Sequence, residues 1–426
     1  MQLPSILHTI SDELQKYQAK AIVVGGSVRD FFMGLPIKDY DIEVYGLTSV
    51  EALEKLLEKY GKVKLVGKSF GVLKFIYEGN EYDFAFPRKE RKVAKGHRGF
   101  DVTVDGELSF TEAARRRDFT INAMGYDISE ERFLDPFGGK EDLSKKILRH
   151  IDASTFVEDP LRFYRGVQFC ARFELTMHFS TKLLCQKMAA EGMLEELPKE
   201  RVFGEIKKLL LQAEKPSVGF VLIKELGALH YFPSLECLSD AVWEETLRRV
   251  DIMAALLKEN KREGSLVFML AALVLSFSSE KEVRAFVKAL SDEVDLLTSV
   301  MTLWKYHHEV SEIFKEQERD VLVRKLSVNA NISDLVLVAK ADYLAKKGLK
   351  EGAFEAGEWL LQRAETLGVL YAPPKPLILG RDLVQKLGLS PSPKFKEILD
   401  KVYEAQLEGK ITSQKEALGY IQKEFL

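Results

Sequence analysis

The segment at residues 21–32 constrains the fold of this chain most strongly. An apolar run at residues 21–24 predicts a short β-strand, and the pair Gly25-Gly26 predicts a tight turn in which the backbone can approach a ligand closely. Ser27 can open a helix directly after this turn. Backbone N–H groups at the start of such a helix attract anions. The segment therefore predicts a strand, a turn and a helix around an anion-binding site.

Acidic and apolar residues alternate strictly in a second segment, at residues 39–45. On a β-strand this alternation places Asp39, Asp41 and Glu43 on one face and the apolar side chains on the other. Neighbouring carboxylates repel each other, and a divalent cation such as Mg²⁺ relieves that repulsion. For an isolated pair of this kind, a half-exposed strand with solvated acids is the more common explanation. The preceding glycine turn favours a metal and nucleotide site instead.

Further motifs follow in order along the chain. Two more strands are predicted at 66–75 and 82–88, and the second carries a third carboxylate, Asp83. Four short motifs come next: Arg116-Arg117-Asp118 with Asn122, Asp135-Pro136-Phe137-Gly138-Gly139, Glu158-Asp159-Pro160-Leu161-Arg162, and Glu200-Arg201-Val202-Phe203-Gly204-Glu205. Together with the glycine and acidic motifs, this order resembles motifs A to E of the class II tRNA nucleotidyltransferases. That family comprises the CCA-adding enzymes and bacterial poly(A) polymerases of the polymerase β superfamily.

The resemblance implies an α+β fold, in which a polymerase β-like nucleotidyltransferase head is followed by an all-α neck, body and tail. The sequence agrees, because strand patterns mix with helical ones in the first 150 residues and almost every later periodic segment is helical. We predict a catalytic head at 1–148, a nucleobase-selecting neck at 149–215, a helical body at 216–320 and a helical, tRNA-binding tail at 321–426. An amphipathic head helix is predicted at 48–60.

Nucleotidyl transfer assisted by Mg²⁺ is the chemistry that the resemblance implies. Asp39 and Asp41 would be the metal ligands, and Asp83 stands where the family carries its third catalytic carboxylate, which is often Glu. Asp30 is expected to brace a neighbouring arginine. The triphosphate would be bound through N–H groups and charge by Gly25, Gly26, Ser27 and Arg29.

The motif that begins at Arg116 carries further nucleotide contacts in the resembling family. Arg116 and Arg117 would contact phosphates, and Asp118 and Asn122 lie where the family contacts the sugar. An exposed basic start of a helix is the structural alternative for the Arg-Arg-Asp triplet.

The motif at 158–162 is the candidate for selecting the base. Asp159 and Arg162 stand three residues apart at the start of a predicted helix, with Pro160 in its first turn. In class II enzymes the matching pair imitates a Watson-Crick partner for cytosine or adenine, so the resemblance assigns base selection to this pair and a further contact to Arg165. An N-capped helix with an ordinary i,i+3 ion pair is the alternative. The motif at 135–139 resembles a hinge, and that at 200–205 resembles a structural part of the neck.

The C-terminal part holds the candidate RNA contacts. The segment at 377–416 is similar to the end of the family's chains, and Lys394 and Lys396 would contact RNA phosphates. The predicted helix at 267–276 lacks the His-Asp pair that relatives often carry. His307 and His308 are interpreted as surface or packing residues, because adjacent helical side chains point about 100° apart.

Composition limits the compartment and the partners. No segment has the roughly 20 consecutive apolar residues of a membrane span, and the N-terminus lacks a signal-peptide pattern. We therefore predict a cytoplasmic protein with no membrane partner. The formal net charge of −3 indicates that any RNA contact is a local patch. Cys170, Cys185 and Cys237 are predicted to be reduced core residues.

The function that the resemblance implies is addition of C, C and A to the 3′ end of tRNA from CTP and ATP, without a nucleic-acid template. The partner would be the tRNA acceptor arm, and no obligatory protein partner is indicated. The alternatives are a CC-adding or A-adding enzyme, a poly(A) polymerase, and a non-catalytic RNA-binding protein. A mobile polar loop is predicted at 89–101. CC-adding relatives have lost the working form of this loop, so its retention, with Arg98 and Asp101, favours addition of all three nucleotides.

Overall fold

The computed structural model describes residues 1–47, 49–66, 72–92, 100–104, 108–262, 265–317 and 319–426. These residues form two compact units. The first comprises Met1–Ala213 and Val218–Phe232, and the second comprises Glu214–Ser217 and Pro233–Leu426. Arg98 and the side chain of Asp101 lie outside the described part, and so does Thr48. The predicted domain boundaries within each unit stay predictions.

A β-sheet forms the centre of the first unit. The strands are β1 (Lys20–Val24), β2 (Tyr40–Tyr45), β3 (Lys62–Val66), β4 (Val72–Tyr77), β5 (Asn80–Ala85), β6 (Arg88–Lys92), β7 (Phe100–Val104), β8 (Gly125–Asp127), β9 (Arg132–Leu134), β10 (Ile147–Leu148) and β11 (Thr176–Met177). Within the described ranges the main sheet has seven strands in the order β3-β4-β5-β2-β1-β8-β9. Strands β2 and β5 are parallel, whereas the other neighbours are antiparallel.

The helices of this unit are α1 (Ser5–Gln15), α2 (Gly26–Phe32), α3 (Val50–Glu58), α4 (Phe110–Arg115), α5 (Gly139–Ser144), α6 (Ala153–Phe156), α7 (Leu161–Phe173), α8 (Phe179–Ala190), α9 (Lys199–Gln212) and α10 (Ser217–Glu225). Helix α4 starts at a capping box formed by Ser109 and Glu112. Helices α7 and α9 pack against each other after the sheet ends. The predicted helix at 48–60 is α3, which Ser49 caps through its side chain.

The two faces of the sheet have different environments. Ile42 and Val44 of β2 lie in the main core with apolar residues of α1 and α3. Tyr45 packs on the opposite face, in a smaller cluster with Ala113 of α4. Because side chains alternate along a strand, Asp41 and Glu43 share this second face with Tyr45. The predicted alternation is confirmed, and it points the acids toward the segment that follows α4.

The second unit is helical in its described residues. Its helices are α11 (Pro233–Glu236), α12 (Asp240–Glu259), α13 (Leu266–Val274), α14 (Glu280–Leu290), α15 (Val294–Tyr306), α16 (Glu309–Ile313), α17 (Arg319–Asn329), α18 (Ile332–Lys347), α19 (Glu355–Thr366), α20 (Gly380–Leu387), α21 (Lys394–Leu407) and α22 (Gln414–Phe425). Helix α12 packs against α13 and α18, while the last three helices share a smaller core of their own. A search of the described helices finds none that could cross a membrane.

One local prediction is wrong, and a second is wrong at both ends of its segment. The strand predicted at 66–75 is divided between two antiparallel strands, because β3 ends at Val66 and β4 begins at Val72. The loop predicted at 89–101 contains parts of β6 and β7, which pair as a two-stranded ribbon outside the main sheet. The charges around this segment suggested a loop, but the β-branched residues of β7 favour a strand. Residues 93–99 lie outside the described part.

The cysteine prediction is correct for two of the three residues. Cys170 and Cys185 are free and buried, and burial raises the pKa of each thiol to about 12. Cys237 is free but exposed, so its assignment to the core is wrong. Leu235 occupies the buried position on that turn, which leaves Cys237 on the solvent side just after α11.

Candidate active site

A cavity of about 410 Å³ lies in the first unit. Its walls are formed by the turn before α2, the start of β2, the segment after α4 and the first turns of α7 and α9. The described residues that line it are Gly25, Gly26, Arg29, Asp41, Arg116, Arg117, Asp118, Asn122, Asp159, Leu161, Arg162, Arg165 and Arg201. The fold therefore brings residues from five separated sequence motifs into one space.

The glycine turn between β1 and α2 forms one wall of the cavity. Gly25 has a φ of +71°, in the left-handed region that residues with a side chain rarely adopt. A Cβ atom at this position would lie 3.0 Å from Nη1 of Arg117. Glycine is thus required twice, by the backbone conformation and by the close approach of the guanidinium.

Ser27 has a different local role from the one that the sequence predicts. Helix α2 begins one residue earlier, at Gly26, with Gly25 in the capping position. The Ser27 hydroxyl donates a hydrogen bond to the backbone carbonyl of Asp39, at 2.8 Å. Ser27 is buried and is not among the described residues that line the cavity. Its side chain therefore ties the turn to the residue before β2.

Arg29 is held firmly by its neighbours. Its Nε and Nη2 atoms donate to one oxygen of Asp30, at 2.9 and 2.7 Å, which confirms that Asp30 braces it. Its Nη1 atom donates to the side-chain oxygen of Asn122 at 2.7 Å. The guanidinium also lies 5.3 Å from the ring centre of Phe169 and 4.6 Å from that of Phe173, both on α7. Arg29 is thus a buried link between the glycine turn and α7.

The acidic residues are brought together by strand pairing. Asp41 lies directly opposite Asp83, because β2 and β5 are parallel and in register at these positions. Asp39 immediately precedes β2 and is exposed. Desolvation raises the pKa of the Asp41 carboxyl, and the carboxylates of Asp83 and Asp39 add to this rise, so that together they outweigh the lowering effect of Arg117. The ionised form of Asp41 is therefore disfavoured by its surroundings.

These carboxylates fit a divalent cation that has further ligands from outside the protein. Oδ1 of Asp83 is buried and has no hydrogen-bond partner among the described residues, so it is an oxygen that a cation or its bound water could use. The raised pKa of Asp41 shows that its surroundings disfavour the ionised carboxylate, so a bound cation would stabilise that form. The described residues contain no cluster of three or more acidic, histidine or cysteine side chains that could hold a metal alone. Phosphate oxygens and water would complete the coordination.

A second cavity of about 350 Å³ lies beside these acids. Its described lining includes Asp41, Asp83 and Glu43, together with Arg116 and Arg117. Asp41 and the two arginines border both cavities. Asp41 therefore stands between two spaces that could each receive a reactant.

Glu43 is a buried carboxylate that pairs with both arginines. One of its oxygens accepts hydrogen bonds from Arg117 at 2.8 Å and Arg116 at 3.3 Å, and the other accepts from the Tyr45 hydroxyl at 2.6 Å. Burial would raise the pKa of Glu43, but the two arginines and the tyrosine outweigh it and hold the pKa below its usual value. Glu43 is therefore ionised and fully engaged in the folded protein.

Arg116 and Arg117 do not stand at an exposed helix start. They follow the last residue of α4, and their side chains are only 22% and 19% exposed. The structural alternative for this triplet is therefore wrong. Helix α4 ends at this point and directs the chain back across the sheet face that carries Asp41.

Asp118 is the centre of a buried hydrogen-bond network. One oxygen accepts from the backbone N–H of Phe119 at 2.8 Å and from the Asn122 amide at 3.0 Å. The other accepts from Nε of Arg165 at 2.7 Å. Burial alone would raise the pKa of Asp118, yet Arg165 and Asn122 lower it below its usual value. Because Asn122 also accepts from Arg29, the network runs from the glycine turn to α7.

The residues proposed to read the base have partners that sequence reasoning missed. Asp159 accepts a bidentate pair of hydrogen bonds from Arg201 at 3.2 and 3.0 Å. Arg162 donates to the backbone carbonyls of Thr155 at 2.7 Å and Arg116 at 2.5 Å. Arg201 was expected to be only a structural residue of the neck, but it lines the cavity and orients Asp159. The pair of Asp159 and Arg201 could not be predicted from residue spacing within one helix, because Asp159 precedes α7 whereas Arg201 lies on α9.

The remaining predicted sites lie outside this cavity. Asp135 accepts hydrogen bonds from the backbone N–H groups of Gly139 and Lys140, so the motif at 135–139 forms a turn that starts α5. Lys394 and Lys396 are exposed on the first turn of α21, in the second unit. Their contact with RNA stays a prediction.

Comparison with protein families matches three parts of the chain. Residues 21–149 match the family described as "Poly A polymerase head domain", and residues 174–238 match the family described as "Probable RNA and SrmB- binding site of polymerase A". Residues 254–421 match domain 2 of tRNA nucleotidyltransferases. The first match contains the glycine turn and the acidic residues.

Similar proteins and structures extend this likeness to the whole chain. The multifunctional CCA protein of Haemophilus ducreyi is 31% identical over 363 residues, which cover 76% of this chain and 85% of that protein. The multifunctional CCA protein of Chromobacterium violaceum is 39% identical over 207 residues, 49% of this chain and 48% of that protein. The chain spans about half the length of several such relatives. The crystal structure of the Bacillus stearothermophilus CCA-adding enzyme in complex with CTP shares the fold, with a TM-score of 0.77, 22% identity and coverage of 99% of this chain and 98% of that one.

The fold is that of a nucleotidyltransferase, with a polymerase β-like head and a helical remainder. The chain belongs to the family of the CCA-adding tRNA nucleotidyltransferases. The predicted fold class and family are thus confirmed.

Proposed function

We propose that this chain adds C, C and A in turn to the 3′ end of tRNA, with CTP and ATP as substrates and no nucleic-acid template. One observation carries the proposal: a single cavity contains Asp41 together with Asp159 and Arg162. A carboxylate that can help hold a metal thus borders the same space as an acceptor and a donor that can read a base edge. The family of the chain supports this assignment.

The acidic residues would act through Mg²⁺. When bound by Asp39 and Asp41, with Asp83 beside them, the ion would activate the attacking 3′-hydroxyl and neutralise charge on the triphosphate. The cavity supplies positive charge for the phosphates through Arg116 and Arg117. The protein's own contribution is to hold these groups in place before the reaction.

The other lining residues would bind the nucleotide. Gly25 and Gly26 bring backbone atoms close to the triphosphate, and Ser27 and Arg29 support that turn from within. Asp118 and Asn122 form the wall beside the sugar. Base selection falls to Asp159, Arg162 and Arg165, with Asp159 oriented by Arg201.

The tRNA acceptor arm would be bound in part by the tail. Lys394 and Lys396 are exposed on one helical turn, where both charges can reach phosphates. With CTP, ATP and newly made tRNA as its substrates, the protein would act in the cytoplasm.

Extension of a tRNA transcript that lacks its CCA end tests the proposed function. We expect the purified protein to add two nucleotides with CTP alone and three with CTP and ATP, resolved on a sequencing gel. A stop at two with both substrates would identify a CC-adding enzyme, and long tails with ATP alone would identify a poly(A) polymerase. Extension only of transcripts that already end in CC would identify an A-adding enzyme. Binding of tRNA without any extension would leave the RNA-binding alternative.

Arg162→Ala is expected to weaken base selection more than tRNA binding. The variant loses a donor at the base edge, and such a contact contributes about 1–3 kcal/mol of discrimination, or about 5- to 150-fold between bases. Incorporation of UTP and GTP relative to CTP should therefore rise by about tenfold or more. Single-nucleotide incorporation on the same transcript measures this ratio, and filter binding measures the affinity for tRNA.

Arg172→Ala is the matched control for this variant. Arg172 lies on the same helix, α7, but it is not among the described residues that line the cavity and donates instead to Gln168 at 2.9 Å. The control should keep the wild-type preference among the four nucleotides. If Arg162→Ala also keeps that preference, Arg162 does not read the base.

A further inference from the structure

Glu43 occupies a position in the sheet where a charged side chain is costly. It lies at the centre of β2, opposite Ile22 of β1 and Ala85 of β5, and only 4% of it is exposed. Removing a carboxylate from water is unfavourable unless it is paired and hydrogen-bonded. An apolar residue of similar size would serve the sheet at least as well. The reason for a carboxylate here must therefore be found in what it contacts.

The contacts of Glu43 all lie on the side of the sheet that carries the site. Its two oxygens accept from Arg116, Arg117 and Tyr45, as described above. Both arginines come from the segment after α4, more than 70 residues away in sequence. Glu43 thus joins the strand of Asp41 to the pair of arginines that border both cavities.

Arg117 is held between two fixed points. Its Nη2 atom donates to Glu43 at 2.8 Å, while its Nη1 atom, beside the glycine turn, donates a longer hydrogen bond of 3.5 Å to the backbone carbonyl of Asn122. A long, flexible side chain loses much of its freedom when both ends of its guanidinium are fixed in this way. The shorter of these two hydrogen bonds, to Glu43, therefore contributes most to the position of the positive charge relative to the turn.

We propose that Glu43 is a positioning residue that presents Arg116 and Arg117 to the triphosphate of the incoming nucleotide. The inference rests on the proposed function, because it takes CTP and ATP as the ligands. Glu43 itself touches neither substrate nor metal in this scheme. It acts on nucleotide affinity through the two arginines and acts equally for both nucleotides, because the triphosphate is common to them.

Glu43→Gln tests the proposal with little change in shape. The amide keeps an oxygen for Tyr45 but loses the charge that attracts the arginines. We expect the KM for CTP and for ATP to rise by about tenfold, with kcat reduced by less than about threefold, because charge-assisted hydrogen bonds that fix a binding group are lost. The Kd for each nucleotide, measured by equilibrium dialysis without tRNA, should rise by the same factor.

Three further variants separate positioning from stability. Tyr45→Phe removes a hydrogen bond to Glu43 and leaves its charge in place, so nucleotide affinity should stay within about twofold of wild type. Glu43→Asp keeps the charge on a shorter side chain and should recover part of the lost affinity, and it replaces Glu43→Gln if that variant does not fold. In the triple variant Glu43→Gln with Arg116→Ala and Arg117→Ala, affinity should fall no further than with the two arginine changes alone, since Glu43 acts through both arginines.

Distinct results would overturn each assignment. If Glu43→Gln or Glu43→Asp lowers the melting temperature while nucleotide Kd and KM stay at wild-type values, Glu43 only stabilises the sheet. If the loss of affinity from Glu43→Gln is undiminished when both arginines are absent, Glu43 does not act through them and the proposal is also overturned. If the wild-type protein neither binds CTP and ATP nor extends tRNA, the proposed function itself fails, whatever the variants do.

Discussion

Asp41→Asn is expected to lower the rate of nucleotide addition by about 10³-fold or more, because a metal ion contributes several kcal/mol to such a reaction and each 1.36 kcal/mol is a factor of ten. The variant should stay folded and keep its affinity for tRNA. The surroundings of Asp41 raise its pKa, so its ionised form is less favourable in the folded chain than in the unfolded one. Loss of the charge should therefore leave the melting temperature at neutral pH unchanged or higher. Gel extension and thermal melting measure the two effects.

Glu81→Gln provides the matched control. Glu81 lies on β5, two residues before Asp83, and its exposed carboxylate pairs with Lys74 at 2.7 Å outside both cavities. A surface pair of this kind contributes little, so the control should add nucleotides at nearly the wild-type rate. Substantial addition by Asp41→Asn in Mg²⁺ would contradict the assignment of Asp41 as a metal ligand.

Asp118→Ala is expected to be the most destabilising single change at the site. It removes the partner of Arg165 and the acceptor of two further hydrogen bonds. Breaking a largely buried pair by deleting one partner costs about 3 kcal/mol or more. Because the pKa of Asp118 is lowered in the folded protein, its contribution is present above the usual Asp pKa and is lost as acid protonates it. The stability difference between wild type and variant should therefore shrink at low pH, as followed by thermal melting.

Asp127→Ala separates this effect from nucleotide binding. Asp127 is also buried, 2% exposed, and accepts hydrogen bonds from Ser129 and Glu130, but it lies on β8 away from the cavity. Both variants should melt earlier than wild type, whereas only Asp118→Ala should weaken nucleotide binding. Adding Arg165→Ala to Asp118→Ala should cost less than the sum of the single changes, because the unpaired charge is then absent. Equal nucleotide Kd values in the two Asp variants would show that Asp118 does not contribute to nucleotide binding.

The sequence predicts the acidic part of the site well because a strand has a simple period. Alternation in residues 39–45 is enough to place Asp41 and Glu43 on one face, and the order of motifs indicates which distant residues join them. The burial of Glu43 could not be predicted from this alternation. Its burial depends on Arg116 and Arg117, which reach it only after the chain has passed through β3 to β7 and α4.

Local sequence patterns gave wrong predictions for residues whose role depends on a contact with a distant part of the chain. Serine is a residue type that often caps helices. Here Gly25 occupies the capping position with a positive φ, and the Ser27 hydroxyl donates a hydrogen bond to the Asp39 carbonyl instead. Arg201 sits in a motif that suggests only packing, and its contact with Asp159 depends on how α9 lies against α7. Contacts between elements are set by packing, which the spacing within one element does not encode.

A buried hydrogen-bond network has a consequence for the accuracy of nucleotide addition. The network runs from Asp30 through Arg29, Asn122 and Asp118 to Arg165. In the proposed function its two ends would border different parts of the substrate, since one would support the turn at the phosphates and the other would lie beside the base. A mismatched base that displaces Arg165 also disturbs the atoms that align the phosphate for attack, and small misalignments slow a reaction greatly. Errors should therefore be rejected by slow turnover even at saturating concentrations of the wrong nucleotide, and raising its supply would not restore incorporation.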